Sequence, residues 1–263
     1  MKRVRPARPE LEDISAYDAK DVRAEVRLSA NENPHNLPHE LLDKLADRVR
    51  SDIEFNRYPD PLCGHLRSLI AEANGLEPTN ILVGNGGDEL ILDLVLAWGG
   101  PGRTLVDLPP TFSMYGIDAR MTGTAVIEVP RLADFSVDAE ALMGVVAERD
   151  PDIIVISNPN NPTGTMVPET VLIDLLNATD ALVLVDEAYF EFSRQTARPH
   201  MERHPNLVIL RTFSKAFSLA GLRAGYLLAH EDVIRELTKV RQPYSVNRFT
   251  QVAAALTFRE RVV

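Results

Sequence analysis

Ile153-Ile154-Val155-Ile156-Ser157-Asn158 and Leu182-Val183-Leu184-Val185-Asp186-Glu187 decide the fold. Each is a run of four apolar residues that stops abruptly in polar ones. A strand with one wet face alternates apolar and polar residues. A continuous apolar run is covered on both faces, as in parallel sheets enclosed by helices. In open sheets of this kind, ligands sit beyond the carboxyl ends of the strands. The polar residues that follow the two runs are therefore the first candidates for chemistry.

Working outward, strand-like runs recur at residues 81–83, 104–106, 124–129, 207–210 and 226–229. Helical spacing of apolar residues marks 39–50, 88–98, 137–147, 168–178 and 232–240. A further helix is expected to open at Asp60-Pro61, to carry Leu62, Leu66, Leu69 and Ile70, and to close at Asn74-Gly75. This alternation predicts an α/β protein with a mainly parallel central sheet flanked by helices.

The 263 residues are 45% apolar and 25% charged, values of an ordinary globular domain with a sizeable core. The formal charge of -10 makes nucleic acid a poor partner, because phosphate backbones would be repelled. A small anion can still bind in a locally basic pocket. The single cysteine, Cys63, excludes an intramolecular disulfide and any cysteine-cluster metal site. No apolar run reaches the ~20 residues of a membrane span, and Met1–Arg8 precede no apolar stretch, so no secretory signal is visible. The expectation is a cytoplasmic protein without a metal, a membrane or a nucleic-acid partner.

Four polar clusters follow the strands. Gly84-Asn85-Gly86-Gly87-Asp88-Glu89 lies between a strand and an apolar helix, where glycines and free N–H groups suit a phosphate. By itself it reads equally well as a tight turn, since Glu89 breaks the G-x-G-x-x-G pattern. Ser157-Asn158-Pro159-Asn160-Asn161-Pro162-Thr163-Gly164 presents amides on rigid turns. Asp186-Glu187-Ala188-Tyr189 puts a carboxylate at the end of a buried strand, which is costly unless it meets a cation, a cap or a salt bridge. Residues 211–225 hold Lys215 just past a strand, with Thr212 and Ser214 beside it and Arg223 eight positions on. A lysine placed in an apolar pocket is partly deprotonated and nucleophilic. Together these clusters match the needs of pyridoxal 5'-phosphate: a lysine for the aldehyde, an anion for the pyridinium, donors for the phenolate oxygen and a phosphate cup.

On these residues the chain resembles the fold-type I pyridoxal-phosphate aminotransferases, and among them the histidinol-phosphate aminotransferase branch. The resemblance runs from Leu28 to about Leu256. It also includes Ser29-Ala30-Asn31-Glu32-Asn33-Pro34, Arg57-Tyr58-Pro59-Asp60 and Pro109-Pro110-Thr111-Phe112-Ser113-Met114-Tyr115. It implies that Lys215 bonds to the cofactor aldehyde and later moves the substrate proton. It implies that Asp186 pairs with the pyridinium nitrogen, that Asn161 and Tyr189 donate to the phenolate oxygen, and that Phe112 stacks on the ring. Gly86, Gly87, Asp88, Thr212, Ser214 and Arg223 would hold the phosphate, and Tyr58 would reach it from the other subunit of a homodimer. The implied reaction passes an amino group between L-histidinol phosphate and 2-oxoglutarate in ping-pong fashion. Aromatic amino-acid transamination, phosphothreonine decarboxylation and a non-catalytic cofactor-binding chain stay open beside it.

The implied organisation is an N-terminal arm (1–36), a cofactor-binding large domain (37–246) and the start of a truncated C-terminal small domain (247–263). In the family that small domain supplies an arginine for the substrate carboxylate. Asn36 stands where the family usually has glycine, in an arm near the substrate.

Overall fold

The computed structural model describes residues 28–260 continuously, with 5, 8, 11, 14, 25 and 26 before them. Most of the expected N-terminal arm, and 261–263 at the end of the expected small-domain start, lie outside the described residues.

Seven strands form one sheet: β1 (Ile81–Gly84), β2 (Thr104–Asp107), β3 (Ala125–Glu128), β4 (Ile153–Ser157), β5 (Leu182–Asp186), β6 (Leu207–Thr212) and β7 (Gly225–Ala229). Their order across the sheet is β1-β7-β6-β5-β4-β2-β3. The pairs β6–β5, β5–β4, β4–β2 and β2–β3 are parallel, whereas β7 runs antiparallel to both β6 and β1. The sheet is thus mainly parallel, with one reversed strand inside it.

Why the two deciding runs are apolar throughout follows from the two cores. Ile154, Ile156, Val183, Val185, Leu207 and Ile209 join a cluster on one face. Their alternating neighbours Ile153, Val155, Leu182, Leu184, Val208 and Leu210 join a second cluster on the other. Side chains alternate along a strand, so burial on both faces requires every position to be apolar. The first face is covered by α2 (Gly64–Asn74), α5 (Ala139–Arg149), α6 (Glu169–Ala178) and α9 (Arg248–Glu260). The second is covered by α3 (Gly87–Trp98), α4 (Met114–Thr122) and α8 (Glu231–Val240). A helix α1 (His39–Asp52) packs beside α9, and a single turn α7 (Phe190–Ser193) follows β5. Among the described residues no helix is long and apolar enough to cross a membrane.

Two elements differ from the sequence reading. α2 begins at Gly64 instead of Asp60-Pro61. Cys63 sits in the left-handed region at φ 53°, and Asp60 holds the loop by accepting from the N–H groups of Leu62 (2.9 Å) and Gly64 (2.6 Å). The carboxylate therefore ties the turn that precedes the helix. α4 was not foreseen, because its sequence carries glycine and polar residues among few apolar ones; it is held by tertiary packing against α3 and β3.

Candidate functional site

The parallel strands all end at one edge of the sheet, and they deliver Gly84, Asp107, Ser157, Asp186 and Thr212 there. Because β7 runs the other way, it begins at that same edge, so Arg223 and Gly225 arrive among those strand ends. A cavity of about 510 Å³ opens here. Its lining includes Gly87, Asp88, Phe112, Asn161, Asp186, Tyr189, Thr212, Ser214, Lys215 and Arg223. Ten of the twelve residues singled out from sequence thus face one space. Of the other two, Gly86 sits just behind the lining, and Tyr58 lies outside it.

Asp186 forms the floor and is only 6% exposed. Its Oδ2 accepts from the Tyr115 hydroxyl at 2.5 Å and its Oδ1 from the Ala188 N–H at 2.9 Å. Burial pushes its pKa up to about 6, while the Tyr115 hydrogen bond pulls against that rise. No cation pairs with it among the described residues, so a buried anion faces the cavity with only neutral donors at hand.

Lys215 is half-buried, and its Nζ donates to the Ala30 carbonyl at 2.8 Å. Burial holds its amine below the ordinary lysine value, and the nearby Arg223 guanidinium acts in the same sense. Tyr189 accepts from the Asn31 side chain at 2.9 Å, and burial raises its phenol. Phe112 lies edge-on to Tyr115, with ring centroids 5.6 Å apart at 81°.

The cationic wall is built from two distant segments. Arg223 Nη2 meets Asp88 Oδ2 at 2.6 Å, and Nη1 donates to Ser214 Oγ at 3.3 Å. Arg223 adopts φ 53°, a left-handed conformation that directs its side chain back over the glycine turn. Gly86 has φ +88°, and a Cβ placed there would lie 2.5 Å from Arg223 Nη2. A Cβ on Gly225 would come within 2.9 Å of both Gly86 C and Gly87 N. The closeness of these backbones, with the start of α3 and two cations, forms an anion cradle.

Tyr58 is 78% exposed, and its ring stacks on Tyr244 at 4.7 Å. The sequence reading missed Tyr115 and Asn31 as contributors. Phe112 and Tyr115 stand three apart at the entry to α4 and their rings meet edge-on, but nothing local in the sequence signals the reach of Tyr115 to Asp186.

This donor set fits pyridoxal 5'-phosphate. A buried carboxylate without a cation partner among the described residues sits at the floor, a lysine with a depressed pKa at the side, and at the end a cradle that a Cβ on Gly86 or Gly225 would fill. Among the described residues no group of three or more His, Cys, Asp or Glu is placed to hold a metal ion.

Comparison with known proteins identifies the chain's family. Histidinol-phosphate aminotransferase 1 of Carboxydothermus hydrogenoformans is 44% identical over 250 residues, covering 95% of this chain and 71% of that protein. Histidinol-phosphate aminotransferase of Gloeobacter violaceus is 43% identical over 260 residues, covering 97% and 72%. The solved structure of histidinol-phosphate aminotransferase from Sinorhizobium meliloti, in complex with pyridoxal-5'-phosphate, superposes with a TM-score of 0.81 at 27% identity, over 88% of this chain and 63% of that one. L-threonine-O-3-phosphate decarboxylase from Porphyromonas gingivalis superposes with a TM-score of 0.70 at 28% identity, over 84% and 69%. The aminotransferase class I and II family model matches residues 23–260, and with the strand-end site in place the chain belongs to the class I and II aminotransferases.

Proposed function

We propose that the protein is a pyridoxal-phosphate-dependent aminotransferase that takes the amino group of L-histidinol phosphate and passes it to 2-oxoglutarate. The observation that carries the reading is the meeting of Asp186, Lys215 and Arg223 in one cavity at the strand ends. The identity of 41–44% to several histidinol-phosphate aminotransferases supports the substrate assignment.

When bound, the cofactor supplies an aldehyde that captures the amine and a ring that accepts an electron pair. The chain's residues do the rest. With the cofactor bound, Lys215 would hold it through Nζ and, once displaced by the substrate amine, would be the free amine that takes the proton from the substrate carbon and returns it. Its lowered pKa favours the neutral form this requires. Asp186 keeps a proton on the ring nitrogen. The Asn161 amide and the Tyr189 hydroxyl donate to the ring oxygen. Phe112, in the cavity wall, would pack against the bound ring and exclude water. The N–H groups of Gly87 and Asp88 at the start of α3, the hydroxyls of Thr212 and Ser214, and Arg223 bind the phosphate, over the close turn that Gly86 permits.

We further propose a homodimer in which Tyr58 of the partner subunit completes the phosphate site. The exposed Tyr58, with exposed Phe55 nearby in the chain, supports this placement. Mixing a Lys215→Ala chain with a Tyr58→Phe chain tests it: restored turnover requires a shared site, and no restoration contradicts one. The large domain spans 37–246, and α9 leads toward a smaller C-terminal domain. The enzyme works in the cytoplasm, where its single buried thiol, Cys63, stays reduced; cell fractionation checks this.

The deciding experiment follows the visible absorbance of the protein mixed with pyridoxal phosphate, before and after L-histidinol phosphate. A cofactor band that bleaches with this amine supports the reading. A band that responds to O-phosphothreonine with release of carbon dioxide would instead place the chain with the decarboxylase, whose solved structure it also matches.

A further inference from the structure

The proposed chemistry leaves one buried titratable group at the site without a task. Tyr115 has no solvent exposure. Its ring packs in the core beneath α3 and α4, and its hydroxyl reaches Asp186 Oδ2 at 2.5 Å. With the Ala188 N–H at 2.9 Å on Oδ1, the carboxyl group is held at both oxygens. A phenylalanine would fill the same volume. The hydroxyl therefore matters for what it does to Asp186, since an unsatisfied buried carboxylate oxygen is costly.

We propose that Tyr115 is the positioning residue of Asp186: its buried hydroxyl holds Oδ2, so that the carboxylate stays ionised and aimed into the cavity at a protonated ring nitrogen. The inference rests on the pyridoxal-phosphate reading and adds to it the group that makes Asp186 competent.

The surroundings leave Tyr115 as the side chain that donates to Asp186. Asp88 from the start of α3 and Glu187 beside it are both acidic and oppose its ionisation. Lys215, beyond β6, is drawn toward the same carboxylate but donates to Ala30. Tyr189 hydrogen-bonds Asn31. Asp107, at the end of β2, acts on Tyr115 itself and helps raise its phenol. Burial, and then Asp186, push the Tyr115 phenol well above its ordinary value, so it remains a donor and never a competing anion. A hydrogen bond to a charged group carries about 1.5 to 3 kcal/mol, or roughly tenfold to a hundredfold in an equilibrium.

The test is the equilibrium affinity for pyridoxal phosphate between pH 5 and 8.5, for the wild type, Tyr115→Phe, Asp186→Asn and the double variant. The expected result is a loss of about tenfold or more in Tyr115→Phe, with the acid limb of its affinity curve moved to higher pH. In the Asp186→Asn background, Tyr115→Phe should change affinity less than about twofold, because the partner is gone. An equal loss in both backgrounds would reduce Tyr115 to packing, and no loss in either would remove its role; both overturn the proposal. 3-Fluorotyrosine incorporated at position 115 keeps size and fold but donates more strongly. It should move the acid limb to lower pH, opposite to Tyr115→Phe, and an unmoved limb counts against the proposal. A wild type that takes up no cofactor, or that is matched by Asp186→Asn, would sink the pyridoxal-phosphate reading itself and the proposal with it.

Discussion

Arg211 and Glu187 meet at 2.8 Å in the interior, with their side chains 5% and 0% exposed. Arg211 also donates to Thr196 Oγ1 at 2.8 Å and to Asn74 Oδ1 at 3.2 Å, and its guanidinium lies 3.7 Å from the Phe190 ring centre. Glu187 in turn accepts from Thr196 at 2.9 Å and from the Ala197 N–H at 2.6 Å. Since Glu187 follows Asp186 directly, this network fixes the chain on which the Asp186 carboxylate is mounted.

Glu187→Gln should therefore lower folding stability by about 3 to 5 kcal/mol, because Arg211 is left as an uncompensated buried charge. Urea unfolding measures it. Adding Arg211→Met to the same chain should recover much of the loss; a double variant as unstable as the single one would contradict this account.

Asp186 sets a conflict between stability and function. It titrates near 6 in the fold against 3.8 in the unfolded chain. Between those values the folded chain holds a proton that the unfolded chain has lost, so stability falls as pH rises through the window, and the deficit persists above it. Asp186→Asn should stabilise the cofactor-free protein at pH 7.5 by about 2 to 3 kcal/mol, while cofactor affinity collapses. Melting curves at pH 7.5 and below pH 4 decide the point: the gain should vanish at the lower pH.

The glycine cradle has no room for a side chain at Gly86 or Gly225. Gly86→Ala brings a methyl within 2.5 Å of the Arg223 guanidinium at φ +88°, and Gly225→Ala presses on the backbone of Gly86 and Gly87 at 2.9 Å. Both should weaken pyridoxal-phosphate binding by tenfold or more, at about 1.4 kcal/mol per tenfold. Gly144→Ala, where a Cβ meets nothing within 4 Å, should leave it unchanged. Fluorescence titration with the cofactor compares the three.

Lys215→Ala should abolish the covalent link. Borohydride treatment followed by intact-mass measurement should fix cofactor on the wild type and none on the variant. A retained adduct would assign the anchor to another amine.

The strands were legible because burial on both faces leaves no choice of residue, as in the all-apolar stretch 153–156. The convergence of the strand ends on one cavity was legible because polar side chains in 84–89, 157–164 and 186–189 break those runs sharply. Helix α4 was not, since glycine and polar residues among its nine positions dilute the apolar pattern and tertiary contacts stabilise it. Tyr115 escaped with it, since its partner lies 71 positions away and no local spacing encodes such a contact. The late start of α2 escaped because the left-handed turn at Cys63 lacks the glycine or asparagine that usually announces one.

The reversed strand β7 has a consequence for biosynthesis. It must insert between β1 and β6, which pair with nothing else at that position, before Gly225 can close on Gly86. Contacts between such distant segments form late in folding. A nascent chain that has emerged only to residue 212 owns Asp186 and the glycine turn but no cradle. On the proposed reading of the cradle as the phosphate site, cofactor capture waits for the sheet to close, so that a loaded molecule is one whose last central strand is in place.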